Sequence, residues 1–309
     1  MDQKFEFFNQ LPQEIKTETI SHLSTPDLLK FSVAAHGSRA LSKPVLEQRK
    51  SLQKFIHHVV RGEHDAVKDL LKNNICLLVQ RDQITDCSKR TFHYISGFEY
   101  ALWALDKHMW TAMLSCVAQN KKAQMVFAQL LAQYVKVSTE GITYTLHGNT
   151  ITESHFDFKN ILINALQTLV DIESSIAKDT QWKEGVGGAQ KLLPMHIIYE
   201  YCSKEPFYPI PQFITQPESS NQFFNWTTQE NEYWFCTDSE LSVSFAILKA
   251  HYTRAGAFSG RIDDAPWMDL DAMTALYEKR TNDFLELKAE LEDKITADNS
   301  IQAASIKLS

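Results

Sequence analysis

Over most of the chain the hydrophobic positions recur with a helical period. Ile15, Ile20 and Leu23 form a first short stripe that begins just after Pro12, a residue suited to a first helical turn because an N–H there has no intrahelical partner to lose. Ser24 and Thr25 are placed to cap a second helix, with Pro26 near its start and Asp27 at its positive end, ahead of Leu28, Leu29 and Phe31. Gly37 and Ser38 break that helix, and Leu41, Val45 and Leu46 predict a third, with Pro44 acceptable only in its first turn. Three helices this short cannot cover all of their own apolar side chains, so part of residues 1–50 needs a partner surface.

The periodicity resumes with Leu52, Phe55, Ile56, Val59 and Val60, ends at Gly62, and returns with Val67, Leu70 and Leu71. This predicts a tight helical hairpin. After a short extended connection (CLLVQRDQITD), the segment from Ser88 reads as a second helix pair or one long helix, with Ser96 as a cap and Phe98, Leu102, Leu105 and Met109 on its apolar face. Another helix is expected from Ala123 to Val137. The string ITYTLHGNTITE alternates around Gly148-Asn149 and gives the one clear strand signal, a β-hairpin.

Phe158 to Ile176 and Leu192 to Tyr201 are again helical, with Gly185, Gly187 and Gly188 read as a connection between them. Pro206, Pro209, Pro211 and Pro217 open a long loop-like stretch to about Asn231. Its aromatic content is too high for a solvated linker and predicts a segment that wraps the helical core. Leu241 to Tyr252 is expected to be a buried helix and Leu270 to Ile295 a long terminal one, with a frayed tail. The fold class is therefore mainly α. The expected divisions are 1–50, 51–120 and 121–309, with a loose joint near Gln48 to Leu52.

Composition supports a folded protein: 44% of the 309 residues are hydrophobic and 22% charged, with 10 Gly and 9 Pro. A net charge of −7 and the lack of a Lys/Arg stripe argue against nucleic acid or an anionic membrane as partner. Five cysteines without a C-x-x-C pair fit a reducing compartment and neither a disulfide frame nor a zinc site. No stretch suggests a cleaved signal peptide or a membrane span, which points to a soluble chain; with no ligand motif, neither metal nor cofactor is expected.

The candidate chemistry is sparse. Cys202 with His196, or Cys236 with His251, could pair a thiol with a histidine base, although no surrounding motif supports it. His57, His58 and His64 lack a completing ligand pattern, and Asp263, Asp264, Asp269 and Asp271 lack the glycine and terminal glutamate of a calcium loop. Trp103 and Trp110, near His108, are expected chiefly to pack in the core but are, with Trp226 and Trp234 in the aromatic stretch, the candidates for a target-binding surface.

Residues 11–33 carry a resemblance. Leu11-Pro12-x-Glu14-Ile15, Ile20-x-x-Leu23-Ser24, Asp27-Leu28-Leu29 and Ser32-Val33 resemble the F-box pattern over about 40 residues. The family's usual Cys and Trp near the end of the box are replaced by His36 to Ala40. The resemblance implies docking on a Skp-family adaptor, and through it a cullin ubiquitin ligase, by Leu11, Pro12, Ile15, Ile20, Leu23, Asp27, Leu28 and Leu29. The string VVRGEHDAVKDLLKNN is similar to an ankyrin repeat, although the Thr-Pro-Leu-His turn is missing. The acidic stretch with Glu278, Glu286, Glu290 and Glu292, followed by a small polar tail, resembles the C-terminal signals of Legionella effectors delivered by type IV secretion into the host cytosol. Together these imply a secreted F-box effector that recruits a target protein. The rival expectation is an effector enzyme whose C-terminal half modifies a host protein.

Overall fold

Helices dominate the computed structural model, which describes residues 8, 10–34, 36–117, 123–218, 220–236, 238–250, 256–257 and 266–306. The chain divides into two units, 1–55 and 56–309. Residues 56–117 and 123–306 belong to one unit, so no division falls near residue 120.

The first unit is built from α1 (Gln13–Ser21), α2 (Thr25–Ala34) and the first part of α3 (His36–Val60). Pro12 precedes α1, and its carbonyl accepts from the Lys16 N–H at 3.0 Å. Ser24 caps α2 as expected: its Oγ accepts from the Asp27 N–H (3.2 Å) and donates to the Asp27 carboxylate (2.7 Å). Ile20, Leu28 and Val45 form the core of this unit, with Phe8, Leu23, Phe31, Leu41 and Leu46 packed around them. Arg49 ties the corner together, donating to the carbonyls of Ser21 (2.8 Å) and Leu23 (2.6 Å) and to Thr25 Oγ1 (2.9 Å).

The second helix ends at Ala34 and the third begins at His36, so Gly37 and Ser38 lie in the first turn of α3; Pro44 lies well inside that helix rather than in its first turn, against expectation. Pro44 is exposed, so water can satisfy the carbonyl its ring deprives of a donor. The stripe Leu41, Val45, Leu52 and Phe55 keeps one helical phase, and the boundary between the two units falls at Phe55 and Ile56, a few residues beyond the expected Gln48 to Leu52.

In the second unit α3 ends in a Schellman turn: the Gly62 N–H donates to Val59 O (3.0 Å) and the Glu63 N–H to His58 O (3.0 Å). Gly62 has φ of 69°. Helix α4 (His64–Asn73) follows, completing the predicted hairpin. The next elements are strands β1 (Arg81–Thr85) and β2 (Thr91–Ser96), where the sequence suggested a connection and the start of a helix. A register shift between Asp82 and Ile84 breaks the alternation that would have revealed β1. The helix pair then begins at Ser96, whose side chain and Glu99 form a reciprocal capping box for α5 (Gly97–Trp103), and continues as α6 (Lys107–Val117).

Helix α7 (Ala123–Glu140) leads into β3 (Ile142–Leu146) and β4 (Asn149–Glu153), completing a four-stranded sheet in the order β1-β2-β3-β4. The β3–β4 turn is His147-Gly148, one residue before the expected position, with φ of 49° and 81°. Both central residues have the positive φ that a tight hairpin turn demands. Residues 159–190 are helical almost throughout: α8 (Asn164–Asp171), α9 (Ser175–Thr180) and α10 (Gly187–Gln190), with wider π turns at 159–163 and 181–186. The three glycines are thus in helix rather than in a connection. A Cβ on Gly187 would stand 2.9 Å from the backbone of Ser242, so that glycine lets two segments approach.

Helix α11 (Met195–Cys202) is followed by the wrapping segment, which buries Phe207, Phe213, Phe223 and Trp234 as predicted. Strands β5 (Gln222–Asn225), β6 (Glu230–Tyr233), β7 (Ile247–Leu248) and β8 (Gly256–Ala257) form a second sheet, order β6-β5-β8-β7. The expected helix from Leu241 is absent over 241–250: the backbone N–H groups of Lys249 and Ala250 instead donate to the buried Asp269 carboxylate. Helix α12 (Pro266–Ile306) packs against α6, α7 and α8. The fold is mainly helical, but two small sheets stand where one hairpin was foreseen.

Candidate functional site

The predicted adaptor-binding residues separate into two groups. Leu28 (0% exposed) and Ile20 (2%) are the core of the first unit, and Leu23 is half-buried against them. These three hold the helices together and are not available as a surface, because an amphipathic helix turns only one stripe inward. Leu11, Pro12, Ile15 and Leu29 are exposed, joined by Val33 at 84%. Leu11 and Ile15 are four residues apart at the start of α1, and Leu29 and Val33 are four apart on the outer face of α2. Asp27 is used locally: hydrogen bonding from Ser24 and the Lys30 ammonium at 3.3 Å hold its carboxyl below the usual range. Beside these residues a groove of about 980 Å³ has Phe8, Leu23, Phe31 and Leu41 among its lining, with Lys16 and Lys30 also facing it.

The predicted target-binding tryptophans do not share a surface. Trp103 is fully buried among Phe92, Tyr100, Tyr144 and Phe156. Trp110 packs on Phe284, and Trp234 on Tyr201 and Phe223, its Nε1–H donating to Gln190 O at 3.2 Å. Their area is spent on the core, where large aromatics contribute most. Trp226 alone is exposed, at 42%, edge-on to Phe224.

Nor do Cys202 and His196 form a catalytic pair. Burial pushes the Cys202 thiol up to about 12, and burial holds His196 down at about 4, with its Nε2–H donating to Ala104 O (2.6 Å). A protonated thiol and a histidine committed to a backbone carbonyl do not act as nucleophile and base. His251, Asp263 and Asp264 lie outside the described residues. Asp269 is buried and Asp271 exposed. His58 is bonded to Glu63, His64 to Gln216, and His57 is exposed. Among the described residues no group of three or more His, Cys, Asp or Glu is placed to hold a metal ion, and no helix is long and apolar enough to cross a membrane.

The sequence missed a buried polar network. Lys249 Nζ donates to Glu200 O (2.5 Å) and Ser203 Oγ (2.7 Å), capping the C-terminus of α11 from within the core. Burial lowers Lys249 to about 8 and raises Glu200 and Asp269 to about 7. Its partners lie 46 and 49 residues away, a separation at which periodicity carries no signal.

Compared with known proteins, the chain is 33% identical over 265 residues to a Coxiella burnetii (strain RSA 493 / Nine Mile phase I) protein, CBUA0006, itself uncharacterized; the match covers 78% of this chain and 75% of that protein. The chain belongs to the CBUA0006 family. The family model described as CBUA0006 C-terminal domain matches residues 161–291, from the start of α8's segment into α12. No solved structure matches. The CBUA0006 C-terminal domain therefore takes in α11, the wrapping segment, the second sheet and the Lys249 network, whereas the exposed apolar residues of α1 and α2 lie outside that model.

Proposed function

We propose that the first unit docks on a Skp-family adaptor of a cullin ubiquitin ligase, and that the second unit presents a target protein for ubiquitination. The observation that carries this reading is the set Leu11, Pro12, Ile15 and Leu29, which stays exposed at F-box-like positions on a helical unit that already has its own core. Apolar side chains of this size gain about 25 cal/mol per Å² when covered, so a partner surface is the physical complement they call for. The second unit is the larger one and supplies target recognition in this reading, with Trp226 as the exposed aromatic anchor. Shared family membership with a Coxiella burnetii protein supports a bacterial origin. We extend the reading to delivery of the chain by type IV secretion into a host cytosol, with the acidic positions of α12 as part of the signal. The test is calorimetric titration of a purified Skp-type adaptor with the full chain. Absence of binding removes the docking reading.

A further inference from the structure

The second unit contains a cavity of about 490 Å³ where the turn after α3, the β1–β2 turn and α11 come together. The β1–β2 turn is pinned inward at three of its residues. Asp86 Oδ1 accepts from the Arg90 N–H (2.9 Å), and Ser88 Oγ donates to Leu193 O (3.0 Å). The Arg90 guanidinium is fully buried, about 5 Å from the rings of Trp103 (5.3 Å) and Phe156 (5.1 Å) and 3.6 Å from the Asp86 carboxylate. Lys89, between two such anchors, is instead exposed on the cavity wall at φ of 69°. No carboxylate among the described residues pairs with it.

The opposite turn supplies a second cation. Tyr199 Oη donates to the Arg61 carbonyl at 2.5 Å and fixes that turn on α11. Arg61 reaches Glu63 only through Nε (3.3 Å), so its terminal nitrogens keep their donors. The acids of the cavity are already committed: Glu63 lies between His58 and Arg61, and Asp86 faces Arg90. With Glu63 set against Arg61 and Asp86 against Arg90, the charge left over is that of Lys89, and the terminal nitrogens of Arg61 are donors beside it. Met195, Tyr233 and Phe235 add an apolar and aromatic wall.

We propose that this cavity binds a small organic phosphate monoester. Its dianionic head rests on Lys89 and the Arg61 guanidinium, and its apolar or aromatic body lies against Met195, Tyr233 and Phe235. A guanidinium fork and an ammonium together match a phosphate better than a single carboxylate, and the volume suits a ligand of nucleotide size. The site is independent of adaptor docking by the first unit.

Phenyl phosphate is the probe, titrated calorimetrically into the full chain at low ionic strength beside inorganic phosphate and benzyl alcohol. Saturable binding of phenyl phosphate is expected, with inorganic phosphate weaker by about tenfold and benzyl alcohol not binding. Lys89→Gly removes the charge and places at φ of 69° the residue that adopts it freely. It is expected to weaken phenyl phosphate by about tenfold without lowering the urea midpoint, whereas Lys159→Glu, on an exposed helical turn, binds like the wild type. No saturable binding by the wild type, or equal affinity of wild type and Lys89→Gly, overturns the site. Inorganic phosphate binding as tightly as phenyl phosphate overturns the organic body.

Discussion

A Cβ placed on Gly62 would stand 2.6 Å from Cε2 of Tyr199. The ring cannot yield easily, because its hydroxyl is bonded to the Arg61 carbonyl in the same turn. Positive φ and close approach therefore both demand glycine here. Gly62→Ala is expected to cost at least about 1 to 2 kcal/mol from the left-handed backbone alone, with the ring displacement in addition. Urea unfolding followed by circular dichroism measures it, and a loss under about 0.5 kcal/mol would mean that the turn relaxes.

Arg49 holds the α1–α2 corner through two carbonyls and a hydroxyl. Replacing it with Met keeps much of the stem packing but leaves those carbonyls without their charged donor. The expected loss is about 1.5 to 3 kcal/mol, confined to the first unit. Amide hydrogen exchange should quicken over residues 13–34 while α12 keeps its protection.

The two groups of F-box-like residues predict opposite phenotypes. Leu11→Ala with Leu29→Ala should weaken adaptor binding by roughly 2 to 4 kcal/mol with the helices intact, since exposed anchors matter only in the complex. Leu28→Ala should instead destabilise the first unit by about 2 to 5 kcal/mol, since the side chain is fully buried. Calorimetry paired with thermal unfolding separates them. A double variant that binds as tightly as the wild type would show that Leu11 and Leu29 do not face the adaptor.

His108 gives the second unit a pH response. Burial, and then the charge of Arg280, holds its pKa at about 4, and its Nε2 accepts from Arg280 Nη2 at 2.9 Å. Asp106 opposes this, while His196 and His64 add to it. The unfolded histidine titrates near 6.5, so between pH 4 and 6.5 the unfolded chain binds more protons and stability rises with pH. Glu200 and Asp269, raised to about 7, push the other way. His108→Gln keeps an acceptor for Arg280 and removes one titration. The stability difference between pH 7.5 and pH 5, read from urea midpoints, should shift in the variant toward less acid destabilisation; an unchanged difference would place the histidine pKa in its ordinary range.

Local rules reached far in this chain. The Ser24 and Ser96 caps, the end of α3 at Gly62 and the β3–β4 hairpin were legible because each depends on residues within a few positions of one another, and the wrapping aromatics were legible from their composition. Even so, Pro44 failed as a first-turn residue, since the continuous apolar stripe of α3 outweighed it. The F-box-like pattern singled out α1 and α2 but did not separate Leu29, which is exposed, from Leu28, which is core; one residue along a helix is a turn of about 100°. What only the tertiary structure decided depends on distant pairing. Strands β7 and β8 have two residues each and exist through partners elsewhere in the chain. Lys249 met Glu200 and Ser203 across 46 to 49 residues. The cavity beside Lys89 and Arg61 arises in the same way: two turns 28 residues apart are brought to one place by α11, which no local pattern encodes.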